Sequence, residues 1–203
     1  MKTQRDTYHH GDLRQALIDA ALELISERDI SELSLREVAR RVGVSHAAPY
    51  RHFSDKDALL AAIAEEGFHV LTRYLQESVQ TILDDPLKQL QATGVAYVQF
   101  AVNHSSHYRV MFGAFRANNP DYSALTKAGE ATFAVLVNVI MTGQTAGVFS
   151  TGEPRQLAWA AWSLVHGLAM LLIDQQLPLS DEQAITSIAT LATQTLAQGM
   201  QRS

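Results

Sequence analysis

The 203-residue chain contains no cysteine, which excludes disulfide scaffolds, thiol catalysis and cysteine-based zinc sites. Proline is scarce at five residues and glycine moderate at eleven, so collagen-like and low-complexity tethers are excluded as well. Charged residues make up only 18% against 47% hydrophobic, a balance that rules out a chain held open by its own charge. The N-terminus, Met1-Lys2-Thr3-Gln4-Arg5-Asp6, lacks the apolar core of a secretory signal, and a cytoplasmic location is expected. From Leu157 to Ile173 only Ser163, His166 and Gly167 interrupt an apolar run, close to the ~17–25 residues of a membrane span. His166 lies near its middle and no basic cluster flanks it, so a helix buried in protein, and no membrane, is expected there.

Charge is present but unevenly placed. The net charge is −5 with histidine neutral, yet residues 1–56 balance to zero and the whole deficit lies in residues 57–203. Within the first segment, Arg36, Arg40, Arg41, Arg51 and Lys56 face only Glu37 and Asp55 over residues 36–56. A basic patch on an acidic protein is one way to build a local polyanion contact, although a solvated helix face gives the same pattern.

Strand-like alternation is lacking, and helical periodicity runs through most of the chain. Leu13, Leu17, Ala20, Ala21 and Leu24 form one stripe, with Gly11-Asp12 as a start signal. Ser34 to Val42 forms a second short segment, closed by Gly43. Ser45 is placed to cap a third helix reaching about Phe53, and Ser54, with Asp57 three positions on, to cap a fourth. After Asp84-Asp85-Pro86, helical stretches are expected near 87–103, 107–115, 122–146, 154–175 and 180–200. Gly143, Gly147 and Gly152 read as helix ends. The fold class is all-α, with about nine helices: three short ones, a long connector and a larger helical body.

The segment Leu35 to Lys56, LREVARRVGVSHAAPYRHFSDK, carries the chemistry. Two short helices around a glycine turn form a helix-turn-helix. Ala39 must be small where the helices cross, while Val38, Val42 and Val44 wedge the pair against the Leu17/Leu24 stripe. The helix starting at Ser45 can then offer its outer face to a major groove. An ordinary core hairpin would instead have to accommodate Arg40, Arg41, His46, Tyr50, Arg51 and His52, which solvent or phosphate accepts more easily.

These residues resemble the tetracycline-repressor (TetR) family of bacterial transcription regulators. Leu33 to Leu60 carries the resemblance, extending back through Tyr8 to Ile25, and Tyr50-x-His52-Phe53-x-x-Lys56 is its most specific part. Later, Trp162-x-x-x-His166-Gly167 resembles the Trp-His-Gly signature of one class of C-terminal domains in that family. The resemblance implies a DNA-binding head over 1–55, an effector-binding and dimerisation domain over 56–203, and a homodimer on a near-palindromic operator. Carried over by position, Ser34 and Ser45 cap helices and can bind phosphate, and Tyr50, His52 and Lys56 touch the DNA backbone. Arg36, His46, Ala47 and Arg51 lie where base edges are read; arginine can grip guanine O6 and N7, and Ala47 can meet a thymine methyl. Arg40 and Arg41 would supplement phosphate attraction, and Phe53 belongs to the core.

Position 49 departs from the family pattern, with proline in place of an aliphatic residue. Pro49 removes an early helical hydrogen bond and biases Ala48 away from α geometry, so a late or irregular start to the recognition helix is expected. The N-terminal arm, Lys2 to His10, could reach DNA as a flexible tail. His104 and His107 stand i, i+3 with no third ligand, and Ser105 and Ser106 form no nucleophile motif, so no metal, cofactor or catalytic activity is expected.

In the body, Tyr97, Phe100, Tyr108, Met111, Phe112, Phe115, Phe133, Met141, Trp159, Trp162, His166 and Met170 form an aromatic and methionine-rich set. Most would be core. Tyr97, Phe100, Met111, Phe112, Phe115, Phe133, Trp162 and His166 are the candidates to line an effector pocket, with His166 as its polar handle or merely the partner of a buried carbonyl. The stripe Ile185, Ile188, Ala192 and Leu196 in 180–200, paired with 154–175, suggests a four-helix seam between two copies. The expected function is a transcriptional regulator, most simply a repressor released by a small molecule. A helical carrier or enzyme without specific DNA binding is the alternative, and an activator would use the same contacts.

Overall fold

Apolar residues three and four apart, broken by proline and glycine, produce eight α-helices and two 3-10 turns among the residues the computed structural model describes, 10–113 and 122–201. Helix α1 spans His10–Glu27, α2 Leu35–Val42, α3 Lys56–Gln80 and α4 Pro86–Asn103. They are followed by α5 at Ser105–Met111, α6 at Ser123–Thr145, α7 at Pro154–Ile173 and α8 at Glu182–Gly199. The 3-10 turns are Ile30–Glu32 and Pro49–Arg51, and among the described residues the only pairing of extended chain is an isolated bridge between Phe149 and Gln201.

Several caps follow the sequence. Ser34, extended at φ −139°, accepts the Glu37 N–H, and Gly43 closes α2 in the left-handed region at φ 79°. Others do not. Helix α3, the fourth expected from the sequence, is capped by Asp55, whose Oδ1 accepts the Ala58 N–H at 2.8 Å, whereas Ser54 donates its hydroxyl to Asp55. A carboxylate is the better acceptor at the positive end of a helix, which explains the one-residue difference. Gly143 is no helix end. It lies inside α6, where a Cβ would meet the Phe149 ring at 2.1 Å, so the absent side chain admits that ring.

The expected third helix, Ser45 to Phe53, is absent. The Ala48 N–H donates to Ser45 O at 2.9 Å, Arg51 N–H to Ala48 O at 3.2 Å and His52 N–H to Pro49 O at 2.9 Å. These bonds span three residues, only the Phe53 N–H to Pro49 O at 2.9 Å spans four, and proline at 49 has no N–H to contribute to an i to i−4 ladder. Ala48 nevertheless keeps α geometry at φ −62°, ψ −43°, against the bias that proline imposes on its predecessor.

The chain divides into two compact units, Met1–Glu66 with Ser106–Tyr122, and Gly67–Ser105 with Ser123–Ser203. In the first, α1 packs on α2, and Leu17, Leu24, Val38, Ala39, Phe53, Leu59 and Ile63 are buried, as are Tyr108, Val110 and Met111. Burying such side chains stabilises by roughly 1.5–3 kcal/mol each before entropy is counted. In the second, α4 packs against α6, α7 and α8. Gly94 permits that closeness, since a Cβ there would fall 2.3 Å from the Thr193 Cγ2. Helix α7 is not the fully buried helix expected: Trp159, Leu164 and Leu171 are exposed along one side, with Gly167 open between them.

Candidate nucleic-acid interface and body cavity

Within the first unit, the charges of the basic patch separate into two groups. Arg41 forks onto Glu27 at 2.7 and 2.9 Å and reaches Glu23 at 3.1 Å, which holds the Glu27 carboxyl below its usual range. Glu37 takes Arg28 at 2.6 Å and Arg40 at 3.0 Å. Arg41 therefore braces α2 to α1, and Arg28 ties the end of α1 to the start of α2. Arg36 and Arg51 are exposed and form no ion pair with any described residue.

Ser34 and Arg36 stand exposed at the start of α2, and Ser45, His46, Ala47, Tyr50 and Arg51 stand exposed along the turn that follows it. Pro49 and Phe53 face inward, with the Arg14 guanidinium 5.5 Å from the Phe53 ring centre, and His52 is half-buried beside Phe53. Hydroxyls, imidazoles, guanidinia and a methyl are thus arrayed on rigid supports where each can meet a phosphate or a base edge. Ser45 caps no helix here; its carbonyl accepts the Ala48 N–H. Lys56 is half-buried and its Nζ donates to the carbonyls of Ile30 at 2.7 Å and Ser31 at 2.9 Å. The Ser31 hydroxyl and amide in turn lower the Asp29 carboxyl below its usual range, with Lys56 adding a weaker attraction. Residues 2–9 of the N-terminal arm lie outside the described residues.

The expected pocket set does not assemble as one group. Met111 and Phe112 belong to the first unit, where Phe112 packs on Tyr108 at 4.8 Å between ring centres; Phe115 lies outside the described residues. Phe100 joins Tyr74 and His104, whose Nε2 is 3.2 Å from the Tyr74 hydroxyl. His107 instead faces Glu66 at 3.5 Å, so the two histidines serve different neighbours. Burial lowers the His107 pKa, with Glu66 opposing.

Tyr97, Phe133, Trp162 and His166 do come together. The Trp162 indole N–H donates to the Tyr97 hydroxyl at 2.9 Å, and that hydroxyl is 3.0 Å from His166 Nδ1. Burial lowers the His166 pKa, which favours the neutral ring beside the Tyr97 hydroxyl. The Phe133 ring meets Trp162 at 6.1 Å, and the Arg155 guanidinium sits 5.2 Å above Phe133. Beside them is a cavity of about 30 Å³ lined by Leu75, Leu90, Thr93, Gly94, Tyr97, Leu136, Ala161, Trp162, Val165, Thr193 and Leu196. None of its described lining residues is charged. Gly94, Leu136 and Thr193 carry no aromatic signal and were not foreseen, although Leu90, Gly94 and Tyr97 share the helical spacing of one face of α4.

Comparison with known proteins points one way. The family description "Bacterial regulatory proteins, tetR family" matches residues 17–63, and "Tetracyclin repressor-like, C-terminal domain" matches residues 90–195. An uncharacterised HTH-type transcriptional regulator of Haemophilus influenzae is 35% identical over 100 residues; the match covers 48% of this chain and about half, 48%, of that protein's length. A solved structure of a protein of unknown function from Rhodococcus sp. RHA1 is 33% identical with a TM-score of 0.83, covering 98% of this chain and 100% of that one. A tetR-family regulatory protein from Rhodococcus RHA1 has the same fold at a TM-score of 0.77 and 22% identity, covering 94% and 97%.

Proposed function

The chain belongs to the tetracycline-repressor (TetR) family of helix-turn-helix transcription regulators, and from that premise we propose that it is a cytoplasmic repressor that binds a near-palindromic operator as a homodimer and leaves it when a small molecule enters the body. The observation that carries this reading is the exposed row Ser34, Arg36, Ser45, His46, Ala47, Tyr50 and Arg51, left available while Arg28, Arg40 and Arg41 are paired with glutamates. Arg51 and Arg36 read base edges with His46 and Ala47; Ser34, Ser45, Tyr50 and His52 meet the backbone.

The apolar side of α7, together with Leu191 on α8, supports the dimer. A second copy placed across a two-fold axis would cover Trp159, Leu164 and Leu171, with Gly167 admitting close approach. Two heads then present their reading surfaces to half-sites ~34–36 Å apart.

The cavity supports release by an effector. At about 30 Å³ it holds little more than a water, against the ~300–1,000 Å³ of ordinary ligand sites. An effector at this site therefore binds a rearranged body, and that differential affinity is the thermodynamic requirement for a switch. Helix α3 runs unbroken from Lys56, in the first unit, to Gln80, in the second, giving the change a continuous element through which to reach the head.

Selection of duplexes from a random pool by the purified protein tests the reading. A two-fold symmetric site with half-sites one helical turn apart is expected, and Arg51→Ala should relax the preference at one base pair in each half-site by about 1–3 kcal/mol. Enrichment of no sequence, or of an asymmetric one, would overturn it.

A further inference from the structure

Lysine at the first position of a helix is electrostatically misplaced, because the N-terminal end of the helix carries partial positive charge. Lys56 begins α3, and its side chain reaches back to the 3-10 turn that precedes α2, donating to Ile30 O and Ser31 O. An ammonium has three hydrogens, and two are used here at 2.7 and 2.9 Å. The turn it grips is held on its other side by Asp29, whose carboxylate accepts the Ser31 N–H at 2.7 Å, and internally by the Leu33 N–H bonded to Ile30 O at 3.3 Å. Ser31 precedes the α2 cap, Ser34, by three residues, and the buried Leu33 lies between. Whatever fixes this turn fixes where Ser34 and Arg36 point.

We propose that Lys56 is a positioning residue of the head: it acts on DNA binding by clamping the Ile30–Ser31 turn that presents the start of α2, rather than by holding a phosphate. Drawing the ammonium away to a phosphate would strip the charge-assisted bonds from both carbonyls and loosen the support of Ser34 and Arg36 at the moment they are needed. The inference rests on the head being the DNA-binding surface, but its first test does not require DNA.

Lys56→Met keeps the aliphatic stem and removes the ammonium; Lys56→Arg keeps donors and charge. In the free protein, amide hydrogen exchange at Glu32 and Leu33 should quicken roughly tenfold or more in Lys56→Met and return toward wild type in Lys56→Arg. On the selected duplex, Lys56→Met should bind roughly tenfold more weakly at every salt concentration, with the slope of log K against log salt changed by less than about half a unit. Unchanged exchange at Glu32 and Leu33, or a slope reduced by the ~0.9 expected for one lost phosphate contact, overturns the proposal. If Lys56→Met fails to fold, Lys56→Gln serves the same comparison. If the wild type binds no duplex, the regulator reading falls, while the exchange result still decides the role of Lys56.

Discussion

His166 shows how much a single side chain can be asked to do. Its Nδ1 stands 3.0 Å from the Tyr97 hydroxyl, and burial lowers its pKa from the usual 6.5. Above about pH 6.5 the folded and unfolded chains both carry it neutral, and it contributes no pH dependence. As the pH falls through that value, the unfolded chain takes up a proton that the folded chain resists, so stability declines toward the lowered folded pKa. Thermal melts at pH 7.5 and pH 5 should therefore show a larger acid loss for wild type than for His166→Gln. Equal losses would mean that the ring is protonated at no cost inside the body. His107, whose pKa is also lowered by burial, contributes to both proteins alike and cancels in the comparison.

Among the elements, the reading turn departs most from a regular helix, and Pro49 is the cause. Restoring an aliphatic residue with Pro49→Leu returns an N–H to the chain and should let 46–52 wind as a regular helix. The measurable result is slowed exchange of the amides at 49–52, together with altered base preference at the positions met by His46 and Ala47. Unchanged exchange would place the irregularity elsewhere in the segment. The same element marks the limit of what the sequence discloses. Ser34, Gly43 and the boundaries of α4 and α7 could be read directly, because capping residues and prolines act over three or four neighbours. The irregular start at Pro49 was legible for the same reason, but the loss of a regular α-helix over the segment to mostly three-residue turns was not. Long-range partners were the least legible. That Arg41 belongs to Glu23 and Glu27, Lys56 to Ile30 and Ser31, and Tyr97 to Trp162 and His166 depends on which helix faces which. Aromatic character singled out Tyr97 and Trp162, which the structure brings together, as well as Met111 and Phe112, which belong to another unit.

For the whole molecule, the charge arrangement and the open side of α7 act together. The net charge of −5 resides outside residues 1–56, which discourages indiscriminate contact with polyanions and leaves the head as the surface for DNA. Leu171→Glu sets a carboxylate in the middle of the α7 face without touching the head. Sedimentation should then show a monomer where wild type is a dimer, and operator affinity should fall by more than tenfold, because the second half-site no longer comes tethered to the first. A dimeric Leu171→Glu protein would put the seam elsewhere.

Under the proposed pairing, that greasy flank would also set how the regulator answers to its own abundance. While copies are scarce, the population of paired molecules grows as the square of the number made, so doubling synthesis roughly quadruples the form competent to occupy a symmetric site. Under the proposed repression, a cell that dilutes the protein by growth would cross from silenced to expressed over a narrow range of dosage, even before any effector arrives.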